Sequence, residues 1–436
     1  MRADDLMITP RIAILAGIRT PQCKSGGALM NAAADDLGTI VVRELLALTG
    51  IHPNQIDEVV IGNVAQPAHA ANIARVISLK AGIPQSTVAY TVHHNCASGM
   101  QSLTTAALQI QSGNADLVIA GGTESMSNIP LMYGPKMTAM FIRLMRARTL
   151  RQRLKVIASF RLSHLMPIIA LQLGLNDPVC GLNMGQTAEV LAREFGITRD
   201  EQDAFALESH RKAVAASEAG RFAEEIVPLA VPPNYYDVQL EDDGPRPEQS
   251  TEALAKLKPY FDRHAGTVTP GNSCSITDGA AALMLASEEK ANELGIKPLG
   301  YITGYAYAAL SGRRMGLGPV YATAKLLEQS GGQLSDFDIV ELNEAFAVQV
   351  IANQRAFESK SFAQEHLNRS AALGELDPDR LNVNGGAIAL GHPVGATGTR
   401  LVLTALKELH RRNQQKALAT LCVGGGQGAA IALEAA

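Results

Sequence analysis

Two stretches of this sequence repeat each other, and a duplication constrains architecture before any single motif is interpreted. LLALTGIHPNQIDEVVIGN, residues 45–63, can be laid on LLEQSGGQLSDFDIVELNE, residues 326–344. Each reads as the end of an amphipathic helix, a glycine turn, a turn containing Asp and a short β-branched strand. A second pair follows at nearly the same offset, VHHNCASGMQSLTTAALQIQ from Val92 and VNGGAIALGHPVGATGTRLVLTAL from Val383. Both read as a strand, a tight turn and a helix of small residues, and each returns through an apolar strand ending in glycines, 115–122 and 416–426. Strands alternating with helices predict parallel sheets covered by helices on both faces, and two copies predict two such layers sharing a central helical layer. The fold class is therefore α/β and duplicated. Residues 1–126 with 267–290 make the N-terminal half, 291–436 the C-terminal half, and 127–266 an inserted loop domain.

Within the insertion prolines cluster and helical periodicity comes in short pieces. No acidic residue occurs between Glu124 and Asp177, while eight Lys and Arg lie from Lys136 to Arg161, interleaved with apolar residues such as Met145, Leu150, Leu154 and Ile157. This predicts a basic amphipathic helical hairpin at 133–167. A solvated basic face that packs its apolar side on its own protein is one reading. An anionic membrane, a partner protein or a cationic rim for phosphates are the others, and the sequence does not rank them.

A chain of 436 residues that is 47% hydrophobic, with 39 glycines and no tryptophan, suits a tightly packed core of small aliphatic side chains. The net charge of −4 offers no global field for nucleic acid or an anionic membrane, so any anion site must be local. Five cysteines, Cys23, Cys96, Cys180, Cys274 and Cys422, show no paired spacing for zinc or a redox disulfide, so free thiols in a reducing, cytoplasmic setting are expected. Residues 1–10 contain Asp4 and Asp5 and no apolar core, unlike a secretory or transit peptide, and no uncharged apolar run reaches the length of a membrane helix.

Cys96 stands between the strand ending at Val92 and the helical run 100–109. A thiol at a helix start faces the positive end of the dipole, which favours thiolate, and Ala97, Ser98 and Gly99 leave backbone N–H groups free for an oxyanion. A small buried core cysteine is the commoner alternative. A nucleophile needs a base, and the repeat offers one at the corresponding turn of the second half, His392 among the glycines of 385–398. His210 and His366 read as surface residues. Cys422 ends the last apolar strand but one, where α/β sheets place ligands, although alone it reads as a core cysteine. Asn343 could hold a water, and Glu344 could stabilise the helix that starts at Ala345.

Jointly, NCASGMQ around Cys96, NEAF at 343–346, GGAIALGHPVGATG around His392 and CVGGGQG from Cys422 resemble the thiolase family, as do GQTAE at 185–189 and GTVTPGNSCSITDGAA at 266–281. The resemblance spans nearly the whole chain. It implies a five-layered αβαβα fold, a homodimer or dimer of dimers, coenzyme A and acyl-CoA as substrates, and no tightly bound cofactor or metal. It implies that Cys96 is acylated, that His392 activates it, and that Cys422 is the acid/base. One oxyanion hole would combine His392 with a water on Asn343, and the other the N–H groups of Cys96 and Gly424. Met184, Cys274 and Glu344 would meet the substrate. Cys274 replaces the serine common in short-chain members, and Asn183 precedes Met184 where His is common. The implied activity is thiolysis of 3-ketoacyl-CoA in fatty-acid β-oxidation, with acetoacetyl-CoA formation or cleavage as the alternative. The 133–167 stretch is similar to the extra hairpin of thiolase subunits in fatty-acid-oxidation complexes, which implies a hydratase–dehydrogenase partner. A ketoacyl synthase is disfavoured because Cys422 stands where a second histidine would, and an inactive scaffold because all four polar site residues are present.

Overall fold

The computed structural model describes residues 11–436, so the reading of 1–10 lies outside the described residues. The N-terminal half builds five strands of five residues or more, β1 (Ile12–Arg19), β2 (Glu58–Gly62), β3 (Val88–Val92), β4 (Leu117–Glu124) and β5 (Thr277–Ser287), beside a two-residue strand, Cys23–Lys24, that pairs with β5. The C-terminal half builds β6 (Gly300–Ala309), β7 (Ile339–Leu342), β8 (Lys416–Val423) and β9 (Gln427–Ala435). Their spatial orders are β3-β2-β4-β5-β1 and β7-β8-β9-β6, which superimpose strand for strand. The fifth position of the second half is reduced to one parallel bridge, Val340 to Leu381. β1 and β6 pair over three residues, Ile12 with Ile302 to Ile14 with Gly300, and join the two half-sheets edge to edge.

The sheets are mixed, which corrects the expectation of parallel sheets. β2 is parallel to β3 and β4, and β7 to β8, but β5, β1 and β9 run antiparallel to their neighbours. The burial pattern explains why strand direction is not legible in the residues. All eleven residues of β5 are buried, so the strand lacks the polar alternation that marks a one-sided antiparallel strand.

Side-chain alternation sorts the layers. Ala13, Leu117, Ile119, Ala282 and Met284 face α1 (Ala34–Thr49) and α2 (Ile73–Lys80). Their neighbours Ile14, Val118, Ala120, Leu283 and Leu285 face the opposite way, onto α3 (Ser98–Gln111). In the second half Ala429, Ile431 and Leu433 face that same central cluster, while Leu418, Ala430 and Ala432 turn towards α4 (Gly318–Ser330) and α5 (Ala347–Glu358). The last helix, α6 (Val394–Arg412), lies beside α3 in the centre. The order is thus helix, sheet, helix, sheet, helix. The repeated glycine turns match as well: Gly50 after α1 and Gly331 after α4 both adopt the left-handed conformation that closes a helix.

In the insertion the expectation of short helical pieces fails for Arg199–Glu218, twenty residues long. Its Thr198 accepts from the N–H of Glu201, and Glu201 accepts in return from that of Thr198, a reciprocal cap. No helix among the described residues is long and apolar enough to cross a membrane.

α3 and α6 touch through glycine. A Cβ on Gly99 would lie 2.7 Å from the carbonyl O of Gly395 and 2.8 Å from Thr399 Oγ1, and one on Gly398 would collide with the backbone N of Met100. Thr399 Oγ1 donates to Gly99 O at 3.1 Å. Gly99→Val should therefore force the helices apart. A loss of about 1–3 kcal/mol is expected, read by urea denaturation, together with a fall in activity because both helix starts carry site residues.

Candidate active site

Cys96 sits on a tight elbow between β3 and α3. Asn95 holds φ 45°, a left-handed conformation that asparagine tolerates better than most residues. The elbow is closed by Ala97 N–H donating to His94 O and Ser98 N–H to Asn95 O, both at 3.0 Å. Asn95 Nδ2 then donates to Gly424 O at 2.8 Å, which ties the elbow to the β8–β9 turn of the other half. The Cys96 thiol is pushed up by burial, and the charge of Glu124 adds to the effect, while the backbone N–H groups of Gly424 and Cys96 oppose it. This reverses the expected direction: loss of water outweighs the dipole of α3, and the resting group is a thiol.

The second half repeats the elbow in altered form. The bridge from His94 to Cys96 has its counterpart from Val383 to Gly385, so Gly385 is the residue equivalent to Cys96. His392 lies seven residues further on, beyond the one-turn helix Ala387–Leu390, and not at the matching turn position as expected. Gly391, at φ 96°, lets the chain turn against Thr277, whose hydroxyl would collide with any Cβ there. His392 N–H donates to Thr277 Oγ1 at 3.2 Å.

The imidazole is 6% exposed. Thr397 Oγ1 donates to Pro393 O at 2.9 Å, so at 2.6 Å it accepts from His392 Nδ1–H. That assigns the proton to Nδ1 and leaves Nε2 with its lone pair free. Nε2 is buried without a protein partner. Burial, and secondarily the charge of Arg400, hold the ring down to about 4, so it is neutral at neutral pH.

Asn343 follows β7, with its N–H donating to Thr420 O at 3.0 Å. Both amide atoms of its side chain are buried and unpartnered, an arrangement that calls for a ligand or water. Cys422 ends β8 and is buried. Its thiol is pushed well up by burial and then by the charges of Cys96 and Cys274. Cys274 is half-buried; its N–H donates to Ala345 O at 3.0 Å, and its thiol is pushed up to about 12, by burial and by the charge of Cys96. The three sulfurs thus share one neighbourhood. Met184 opens the helix Met184–Glu194, and its Sδ lies 3.4 Å from where a Cβ on Gly424 would stand. Asn183 caps that helix by accepting from Gln186 N–H at 2.9 Å, a position histidine would fill less well.

The Glu344 carboxylate is buried and engaged by protein donors. Its oxygens accept from Ser209 Oγ at 2.6 Å, Asn382 Nδ2 at 2.8 Å and Ile388 N–H at 3.2 Å. The residue does not belong to the helix after it, which starts at Ala347. The carboxylate instead anchors the 385–391 segment that carries His392. His210, expected on the surface, is buried with Nδ1 unpartnered. Two residues of the site went unnoticed in the sequence. Thr397 was hidden because a hydroxyl five positions after a histidine is no motif. Glu124, buried at the end of β4, accepts from Asn63 Nδ2 and from the N–H groups of Val64, Ala65 and Gly395. Its signal was a carboxylate closing an otherwise apolar strand.

Two family models match, the thiolase N-terminal domain over residues 12–289 and the thiolase C-terminal domain over 296–435. The 3-ketoacyl-CoA thiolase of Yersinia enterocolitica is 43% identical over 97% of both chains. That of Photobacterium profundum is 44% identical over 98% of this chain and 97% of its own. Among solved structures, the acetyl-CoA acetyltransferase of Bacillus anthracis aligns at TM-score 0.85 and 37% identity, covering 98% of this chain and 99% of that one. The human mitochondrial 3-ketoacyl-CoA thiolase in complex with CoA aligns at 0.84 and 34%, covering 98% of each. The chain belongs to the thiolase family.

Thr397→Val removes the acceptor that fixes the imidazole. A fall of about tenfold or more in kcat with little change in KM is expected in steady-state assays, and Thr397→Ser should restore it. A second expectation concerns pH. His210, like His392, is held down to about 4 from 6.5 by burial, and then by the charges of Arg246 and Lys24. Between those values the unfolded chain binds protons that the folded chain does not, so this contribution rises with pH and is lost as pH falls from 6.5 towards 4. Glu124, raised to about 7 by burial, works with the opposite sign. His210→Gln should therefore flatten the acid-side fall in thermal midpoint, and an unchanged profile would contradict a neutral buried His210.

Proposed function

We propose that the chain catalyses thiolysis of 3-ketoacyl-CoA in fatty-acid β-oxidation, and in reverse a Claisen condensation, by ping-pong acyl transfer on Cys96. The observation that carries this reading is the buried, unpartnered Nε2 of His392, together with the unpartnered amide of Asn343. His392 Nε2 takes the thiol proton of Cys96, and the sulfur adds to the C3 carbonyl of the substrate. The C2–C3 bond breaks, its electron pair passes to the acetyl-CoA fragment as an enolate, and Cys422 protonates C2. Acetyl-CoA leaves. CoA then gives its thiol proton to the Cys422 thiolate and attacks the acyl group. Cys96 departs as thiolate and recovers its proton from His392, so atoms and charges return to the starting state.

Two sets of donors serve the developing oxyanions. Protonated Nε2–H of His392 with a water on Asn343 forms one. The N–H groups of Cys96 and Gly424 form the other, supported by their approach to the Cys96 sulfur. Met184 and Cys274 line the approach of the acyl-CoA. Every step is a proton or acyl transfer between these side chains and CoA, so no tightly bound cofactor is needed. Two working thiols suit a reducing compartment, and we place the protein in the cytoplasm. A 3-keto group arises by oxidation of a 3-hydroxyacyl thioester, so a hydratase–dehydrogenase is the enzyme that feeds it. β3 lies at the sheet edge, with Val88 57% exposed, and offers that edge to a second copy in a homodimer or dimer of dimers.

Mass spectrometry of the protein after exposure to a 3-ketoacyl-CoA without free CoA tests the chemistry. An acyl adduct on Cys96 is expected, absent in Cys96→Ala, whose thiolysis should vanish into the background; an adduct that persists in Cys96→Ala would sink the mechanism. Rates from acetoacetyl-CoA up to long-chain 3-ketoacyl-CoAs test the substrate class. Turnover confined to acetoacetyl-CoA would favour a short-chain acetyltransferase, the activity named for the Bacillus anthracis structure.

A further inference from the structure

His94, two residues before Cys96, is a polar side chain that the mechanism above leaves unused. Its backbone belongs to the elbow: its N–H donates to Ser98 Oγ at 2.9 Å, and Ser98 Oγ donates to Asn95 O at 2.7 Å. Its imidazole reaches in two directions. Nδ1 lies 3.0 Å from Gln101 Oε1 on α3, and Nε2 lies 2.9 Å from Oε1 of Gln427, the residue that opens β9. The ring also rests against Tyr307 of β6, with 5.1 Å between the centroids.

The surrounding hydrogen bonds decide which atom of the ring does what. Thr104 Oγ1 donates to Gln101 O at 3.1 Å, so towards the Gln101 amide it can only accept. Gln101 Nε2 is turned to Thr104 Oγ1 and Thr105 Oγ1, at 3.4 and 3.1 Å. The Gln101 oxygen is the atom left for His94, and Nδ1 carries the proton it accepts. Nε2 then faces Gln427, whose amide offers an oxygen or, turned over, an NH2 group at the same place.

The duplication supplies a control. The bridge from Val383 to Gly385 is the counterpart of that from His94 to Cys96, so Val383 occupies the place of His94 in the second half. It is buried in the central apolar cluster, and the elbow forms there without an imidazole. Only the half that carries the reacting thiol has the polar ring.

Across from the ring lies the turn of Gly424, Gly425 and Gly426. Gly425 and Gly426 hold φ 90° and 82°, and three glycines in a row give the turn no side chain of its own to fix its shape. Leu310 N–H holds it from one side, donating to Gly426 O at 2.8 Å. From the Cys96 elbow come two ties: Asn95 Nδ2 to Gly424 O at 2.8 Å where the turn begins, and His94 to Gln427 where it ends. We infer that His94 is a positioning residue, a strut that holds the Gly424 turn against the Cys96 elbow and so sets the separation of the two N–H groups that receive a developing oxyanion. The inference rests on the proposed role of those N–H groups.

Two variants remove opposite ends of the strut. His94→Phe keeps a ring against Tyr307 and loses both hydrogen bonds, while Gln427→Leu leaves His94 in place without its far partner. A displacement of about 1 Å at a reacting centre costs on the order of a hundredfold in rate, so relaxation of the turn by a fraction of that should lower kcat, and the rate of acyl-adduct formation on Cys96, about tenfold in each variant. KM for CoA should stay unchanged. The double variant should fall no further than His94→Phe alone, because both substitutions break one contact. His93→Phe, on the exposed neighbour, should behave like the parent. Gln427 is half-buried, so Gln427→Leu carries the test alone if His94→Phe lowers the thermal midpoint. Acylation of Gln427→Leu at the parent's rate overturns the inference. So do losses that multiply in the double variant, a change confined to KM, or an equal fall in His93→Phe. A parent chain that forms no adduct on Cys96 overturns the covalent mechanism and the strut together, whereas an acylated parent beside variants acylated equally fast overturns the strut alone.

Discussion

The close crossing of α3 and α6 at Gly99 and Gly398 is the constraint on which the rest of the molecule depends. The two helix starts come from opposite halves of the duplication, and only the absence of side chains lets their backbones meet. Glu124 locks the crossing. Its carboxylate takes N–H groups from Val64 and Ala65 on one half and Gly395 on the other, in a site from which water is excluded. Cys96 two residues before α3 and His392 two residues before α6 inherit their relation from this joint. Precision at the reacting atoms therefore comes from a rigid backbone junction, and the side chains need little freedom of their own.

Burial then sets the chemistry. It raises the Cys96 and Cys422 thiols and lowers the His392 imidazole, so all three are neutral at rest. A neutral pair avoids the cost of holding a thiolate and an imidazolium in a poorly hydrated cleft, a cost that reaches several kcal/mol per ion. In the proposed mechanism the ion pair forms only when a substrate carbonyl is present to receive the sulfur, and the N–H groups of Cys96 and Gly424 would then stabilise the charge that appears. Thr397 matters in this scheme because neutrality leaves two tautomers open, and only the one with Nδ1–H is a base towards the cleft.

Much of this was legible in the sequence, for identifiable reasons. The duplication showed because helix ends are written in local chemistry: Gly50 and Gly331 mark equivalent turns in residues any reader can see. His392 stands out because an imidazole among glycines has no packing role to fill, whereas Cys96, Cys422 and Asn343 become specific only jointly, through the motifs that carry the family resemblance. Strand direction was not legible, since β5 and β9 are apolar on both faces and a chain of Ala, Leu and Met reads alike in either direction. The shift of Cys96 was misjudged because helix position is local while loss of water is set by the whole fold. Glu344 illustrates the same limit: its partners Ser209, Asn382 and Ile388 are far from it in sequence, so its anchoring role emerges only when the layers close. His210 reads as a surface residue because nothing in its own helix announces that the fold buries it.

The hairpin sets the opposite physical problem from the core. Within the layers, most large aliphatic side chains are buried against a facing layer, and the cost of ordering them is offset by that burial. The helix Leu150–Ala158 has no such partner, yet it is capped at its first turn and apolar along one face. Capping gives a short helix local order, but capping alone gives no reason for that face to be leucine and isoleucine, because polar residues with equal helix propensity would leave the chain more soluble. The apolar face and the cations beside it place opposite demands on any covering surface, one for low polarity and one for negative charge.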